Sequence, residues 1–436
     1  MIGRVGGYLG AGGESYPASS FYAATANPTP DRPKLNGDRK ADVCVIGAGY
    51  CGLSAALHLA ERGYDVVVLE ANRAGWGASG RNGGQIHSGQ RRGVDVLEAQ
   101  FGMERSQAFW QLGQEAKALV RSLIADHAID CDLRDGLIAG SHKRSYVEDY
   151  RHEVEHLRSD YGYDKVHFLD RDAIREKVLT EDFHGGLLDE EAGHLHPLNF
   201  ALGIAAAAEK AGAVVYENSR VTRLVQGDPA RVETEHGSVT ARFVIAAGNG
   251  YLEGLLPEIE ARVLPINNFI AATEPLGNLA DNVIPGREAV ADSRFVINYF
   301  RIEPGGRMLF GGGENYSPRF PPDIAAFVRP YMIKLFPQLS NARIEYAWGG
   351  TLGVTMKRLP CLRRVGTNIY AACGFSGQGV TIAPLAGKLV ADAIAGQAEK
   401  FDLYASLPAP EFPGGALLRH PILVLGMLWY ALKDRL

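Results

Sequence analysis

Unbroken apolar runs divide the chain before any chemistry is considered. Val43-Cys44-Val45-Ile46 runs into the turn Gly47-Ala48-Gly49-Tyr50-Cys51-Gly52, and an Ala/Leu-rich helix is predicted over residues 53–61. A second run, Val66-Val67-Val68-Leu69, ends on Glu70. Such runs describe strands covered on both faces, so strand, helix and strand in this order predict a βαβ unit of a parallel sheet. Two later runs share the character: Phe243-Val244-Ile245-Ala246, ending on Ala247-Gly248, and Tyr370-Ala371-Ala372-Cys373, which opens through glycines into a helix over 382–395. Between them, residues 97–194 are charged and helical in period. Residues 266–344 alternate β-branched and aromatic positions, with Pro304-Gly305-Gly306 as a hairpin turn between 294–300 and 307–310.

The fold predicted is α/β: a Rossmann-like nucleotide domain interrupted by a discontinuous α+β substrate domain that carries a mostly antiparallel sheet. The expected division is an arm over 1–40, nucleotide-binding parts at 41–96, 195–265 and 345–400, substrate-domain parts at 97–194 and 266–344, and a C-terminal segment over 401–436. There is no internal repeat.

The chemistry of the first turn points to a dinucleotide. Gly47 permits the tight turn, Gly49 lets backbone approach a pyrophosphate, and Gly52 lets helix pack on strand, with the positive helix end facing the phosphates. Glu70, eighteen residues after Gly52, is placed to accept ribose hydroxyls and to repel a 2′-phosphate. A second loop, Gly75-Trp76-Gly77-Ala78-Ser79-Gly80-Arg81-Asn82-Gly83-Gly84-Gln85, offers small residues against which a flat ring can lie, with Arg81 adding positive charge. Gly374-Phe375-Ser376-Gly377-Gln378-Gly379-Val380-Thr381 supplies a further helix N-terminus for an electron-rich ring edge.

These four segments together resemble the FAD-dependent D-amino-acid oxidase and sarcosine/glycine oxidase superfamily, whose nucleotide unit is the glutathione-reductase-type βαβ. Gly193-His194-Leu195-His196-Pro197, Gly311-Gly312-Gly313 and Phe412-Pro413-Gly414-Gly415 are similar to its γ-glutamylputrescine oxidase branch, from about Ser20 onward. The resemblance implies non-covalent FAD held by Gly47, Ala48, Gly49, Gly52, Glu70, Ala71, Ala78, Ser79, Arg81, Asn82, Gly83, Gly84 and Gln85. Val221, Ala247, Gly248, Gly374, Gly377, Gln378, Gly379, Val380 and Thr381 complete the expected set. It implies oxidation of an amine CH–NH bond, of γ-glutamylputrescine or a similar amine of polyamine catabolism, with oxygen or another acceptor. Secondary-amine or D-amino-acid oxidation stays open within enzymes, and a flavin-binding electron-transfer subunit outside them.

On the substrate side the expected residues are Tyr299, Arg301, Trp348 and His87. Tyr299, Phe300, Trp348 and Phe269 are placed over the ring by the resemblance, or are core. Arg301 pairs with a glutamyl carboxylate or is structural. His194 and His196 are positioning candidates with no third metal ligand, so no metal is expected. Two departures from the resemblance matter: no cysteine stands in Gly349-Gly350-Thr351-Leu352-Gly353 to attach flavin, Cys361 being displaced, and Met308-Leu309-Phe310-Gly311 has no lysine to assist oxygen.

Composition narrows the rest. In 436 residues, 46% hydrophobic and 22% charged, there is material for two cores, and a net charge of −5 gives no field for nucleic acid. Five cysteines without C-x-x-C spacing read as reduced core residues, which suits a cytoplasmic location, and the start of the chain has no continuous apolar leader. The apolar run 421–432 is too short to span a bilayer. It is expected to dock on protein, with peripheral membrane contact the alternative because Arg419, Lys433 and Arg435 flank it; the oligomeric state is open.

Overall fold

A computed structural model of the chain describes residues 15–315 and 319–415. Its strands form two sheets. In the first, Ile369–Cys373, Gly37–Ile46, Gly237–Ala246, Val66–Leu69 and Val214–Tyr216 are all parallel, with Gly37–Ile46 between Gly237–Ala246 and Val66–Leu69. Cys361–Val365 closes one edge antiparallel, and the hairpin Val221–Val225/Ala230–Thr234 hangs from Gly237–Ala246. The unbroken apolar runs are explained by two-sided burial. Val43, Val45, Val66, Val68 and Ile245 pack under the helices Tyr50–Ala60, Pro197–Lys210 and Gly379–Ile394, whereas Cys44, Ile46, Val67, Leu69 and Val244 meet Val232, Leu252 and Leu256 on the other face.

The second sheet runs in the order Ile344–Val354, Leu264–Thr273, Met308–Asn315, Tyr299–Ile302, Ala289–Asp292, Arg134–Gly140, Gly186–His194, Gln85–Ile86, with Val166–Leu169 beside Gly186–His194. All its pairings are antiparallel except that of Ala289–Asp292 with Arg134–Gly140. Strand alternation sorts its side chains: Phe269, Phe300, Ile302, Met308 and Phe310 face the helix Ile324–Leu335, and Tyr299, Arg301, Leu309 and Trp348 face the first sheet's helices.

Several boundaries shift from the sequence reading. The helix expected over 53–61 begins at Tyr50, and that over 382–395 begins at Gly379, because glycine turns lead directly into the first helical residue. Ile344–Val354 is a strand of the second sheet throughout, so the substrate-side sheet continues ten residues beyond 344. The arm is fixed to the body from Ser15 onward. Ser15 accepts from Trp76 Nε1 at 3.1 Å, Tyr16 donates to Ala74 O at 2.6 Å, and Tyr22, in the short Ser20-capped helix Phe21–Ala24, is fully buried. The apolar run 421–432 lies outside the described residues, and among those described no helix is long and apolar enough to cross a membrane.

Candidate active site

The first sheet reverses its strand order on either side of Gly37–Ile46, and the carboxyl end of that strand is where α/β sheets bind nucleotides. There Gly47 takes φ 103°, in the left-handed region, and a methyl group on Gly52 would lie 2.0 Å from the Gly47 carbonyl oxygen, so this turn tolerates no side chain at either position. Gly49 caps the Tyr50–Ala60 helix without a side-chain bond, and Tyr50 N donates to Ser79 Oγ at 3.0 Å, joining the two glycine loops. Glu70 accepts the N–H of Ala48 at 2.8 Å and of Asn72 at 2.9 Å; burial raises its pKa, against these two bonds. A carboxylate has room for further donors, which ribose hydroxyls supply. Ala71 sits in the bend after Glu70, Ala247 N closes on Ile46 O at 2.9 Å, and Gly248 begins the next turn. Val221 opens its strand and packs partly against the core beneath Ile46 and Leu69.

The second loop is bound on all sides. Asn82 Nδ2 donates to Ala78 O at 3.0 Å and Ser79 O at 2.9 Å while its Oδ1 accepts Gly84 N at 2.7 Å, and Gln85 Nε2 donates to Val290 O at 2.9 Å. Arg81 lies 4.0 Å over the Trp76 ring, with Nε on Trp76 O at 2.7 Å and Nη1 on Gly349 O at 3.1 Å. Its Nη2 is buried with no partner. A buried cation with one idle donor beside this loop fits an anionic or carbonyl-rich ligand, as phosphates and a flavin edge are. Gly374 and Gly377, both at positive φ, lead to Gln378, whose Nε2 donates to Gly89 O at 3.1 Å. Gly379, Val380 and Thr381 form the first helical turn, and Thr381 Oγ1 accepts the His87 N–H at 3.2 Å.

Tyr299 and His87 are both partly buried, the first on the second sheet and the second just beyond the second loop. Methyl groups on Gly83 and Gly311 would stand 2.7 Å and 2.1 Å from the Tyr299 ring, so both glycines exist to let that ring lie flat between loop and sheet; its hydroxyl bonds Asn268 Oδ1. Burial, then the charge of Arg91, lowers the His87 pKa to about 4, so the imidazole is neutral.

The remaining expected residues sit elsewhere. Trp348 is fully buried, donating from Nε1 to Arg81 O at 3.0 Å and meeting Tyr22 edge-on at 5.1 Å; it supports the loop from behind. Phe269 and Phe300 belong to the opposite face of their sheet. Arg301 is buried without a carboxylate partner: Nε donates to Gly83 O and Nη2 to Leu195 O, both at 3.1 Å, while His194 Nδ1 and Tyr22 OH stand at 3.4 Å. The cleft of about 160 Å³ beside it carries Asp132 and Glu303, whose charge disfavours a carboxylate ligand. His194 ends its strand, and His196 caps the Pro197–Lys210 helix, accepting Asn199 N at 3.1 Å; burial and then Arg301 lower both to about 3. Sequence reading missed Asn268, Arg91 and Glu153, which are set apart only by what they face.

Comparison with known proteins agrees with this geometry. The family model described as DAO, FAD dependent oxidoreductase, matches residues 42–393. The chain belongs to this DAO family. As a DAO-family FAD-dependent oxidoreductase it binds FAD, for which the paired glycine loops, Glu70 and the idle Arg81 Nη2 are suited. It is 43% identical over 423 residues to the γ-glutamylputrescine oxidoreductase of Escherichia coli K12, covering 96% of this chain and 98% of that one. It is 40% identical over 420 residues to the probable oxidoreductase OrdL of Rhizobium meliloti, at 96% and 98% coverage. Among solved structures, glycine oxidase from Bacillus cereus superposes with TM-score 0.69 at 23% identity over 85% of this chain and 100% of that chain, a likeness of fold alone.

Proposed function

We propose that the enzyme oxidises the CH–NH2 bond of a primary amine, γ-glutamylputrescine or a close analogue, to an imine that water opens to an aldehyde and ammonia. The observation that carries this reading is the 43% identity along 96% of the chain to a γ-glutamylputrescine oxidoreductase, together with a second loop whose Gly83 lies against the Tyr299 ring. FAD supplies the acceptor for the hydride leaving the α-carbon, and oxygen or another acceptor then takes the electrons. Tyr299 and Gly83 form the wall that sets the plane of the reacting carbon, and the close ring packing excludes water there. Neutral His87 presents a hydrogen-bonding side chain that adds no charge of its own.

Anaerobic mixing with a panel of amines, followed by the bleaching of the flavin band, tests this. γ-Glutamylputrescine is expected to reduce the flavin fastest. Faster reduction by glycine, sarcosine or a D-amino acid, or none by any amine, refutes the assignment.

A further inference from the structure

The helix Val147–Asp160 packs Tyr150, Val154 and Leu157 over Ala139 and Leu187, on the same sheet face that carries Tyr299. Across that face Tyr299 stands opposite Ala291, and Ala291 opposite Ala139, so only two alanines separate the Tyr299 strand position from the strand beneath this helix. Glu153 shares the inward side of the helix with Tyr150 and Leu157 by its spacing of three and four residues. It lies deep in the molecule yet keeps accessible surface, as Tyr299 and His87 do. Asp189, next along the face from Leu187, is satisfied by Tyr163 OH, Glu191 N and Ala192 N. Glu153 is not: no hydrogen-bond donor or cation engages it among the described residues, and its strongest charged neighbours are the acids Asp95 and Asp189. Burial and then these two acids push its carboxyl up to about 7. A carboxylate kept in this condition lacks a cation.

We propose that Glu153 is the subsite for a second, non-reacting ammonium group of the substrate, and that it selects amines carrying a positive charge about two strand spacings, on the order of 10 Å, from the carbon being oxidised. The α-ammonium of a γ-glutamyl amine answers this description, so the inference rests on the proposed function while adding a residue and a charge requirement to it. Asp95, exposed at the start of the helix Val94–Phe101 with His156 Nε2 at 3.8 Å, adds negative charge on the solvent side of Glu153.

The test uses the FAD-loaded enzyme with γ-glutamylputrescine and its des-α-amino analogue, glutarylputrescine. Wild type is expected to prefer the ammonium-bearing ligand by about tenfold to a hundredfold in KM, the range of a charge-assisted bond. Glu153→Gln is expected to bring that ratio close to one, and Glu153→Asp to leave it intermediate. Equal KM values for the two ligands in wild type overturn the inference without any variant. A Glu153→Gln enzyme that loses affinity for both alike, keeping their ratio, assigns the residue a structural role and also overturns it. The same pair titrated against the flavin spectrum under nitrogen reads binding without turnover, so a failure of amine oxidation itself is distinguished from a failure of the Glu153 subsite.

Discussion

Arg301→Met separates a residue that shapes the flavin loop from one that binds substrate. In the native protein Arg301 bridges Gly83 O and Leu195 O at 3.1 Å each, from the second sheet to the loop and to the stretch before the Pro197–Lys210 helix. Methionine fills the volume but leaves two buried carbonyls without donors, at about 1 to 3 kcal/mol each. Removing an unpaired buried cation offsets part of this, which leaves about 2 to 4 kcal/mol of destabilisation. With an unfolding entropy of about 2.1 cal/mol/K per residue over 436 residues, that is a fall in Tm of roughly 2 to 4 °C. Function is expected to suffer more than stability, because Gly83 touches the Tyr299 ring and a shift of about 1 Å at such a contact slows chemistry on the order of a hundredfold. Differential scanning fluorimetry and stopped-flow flavin reduction, each with γ-glutamylputrescine and putrescine, read both effects. Tm and FAD affinity should fall, and both amines should slow together. An unchanged Tm with KM raised for γ-glutamylputrescine alone would refute the loop-holding role and restore Arg301 as a carboxylate ligand.

Glu70→Ala is expected to weaken FAD by about 1.5 to 3 kcal/mol through loss of charge-assisted ribose bonds, with native flavin released by acid precipitation; an unchanged FAD dissociation constant removes Glu70 from the site. Gly311→Ala places a methyl group 2.1 Å from Tyr299 and must displace the ring, so the flavin should be retained while its reduction by amine slows at least tenfold; normal reduction kinetics count against Tyr299 as the wall of the reacting carbon. His194 and His196 have pKa values lowered from 6.5 to about 3, so the unfolded chain takes up protons below pH 6.5 that the folded one refuses, and stability present above that pH is lost as pH falls. At pH 5 the loss is about 2 kcal/mol for each histidine, and His196→Asn, which preserves a capping side chain, should lessen the fall in stability between pH 7.5 and 5 by about that amount relative to wild type; an identical pH dependence of Tm in the two proteins contradicts this account.

The nucleotide half was legible because its signals are local. Val43 to Gly52 is one continuous stretch in which strand, turn and helix cap follow from adjacent residues, and Glu70 marks the end of the next strand. The substrate half was not, because its residues acquire their roles across the fold. Alternation along Tyr299-Phe300-Arg301 shows that Tyr299 and Arg301 share a face, but only the pairing of Tyr299 with Gly311 and its contact with Gly83 show that this face meets the flavin loop. Trp348 obeys the same alternation and is nonetheless fully buried, with Tyr22 from the N-terminal arm packed edge-on against it. Glu153 is the sharpest instance. Along Val147–Asp160 it is one acid among several on a charged helix, and period alone assigns such residues to solvent. What singles it out is that no cation among the described residues meets it at a deep position bordered by Asp95 and Asp189, a property of three elements brought together and of none alone. On the proposed reading, specificity is carried by the second sheet and the helices laid on it, while the glycine loops bind the cofactor.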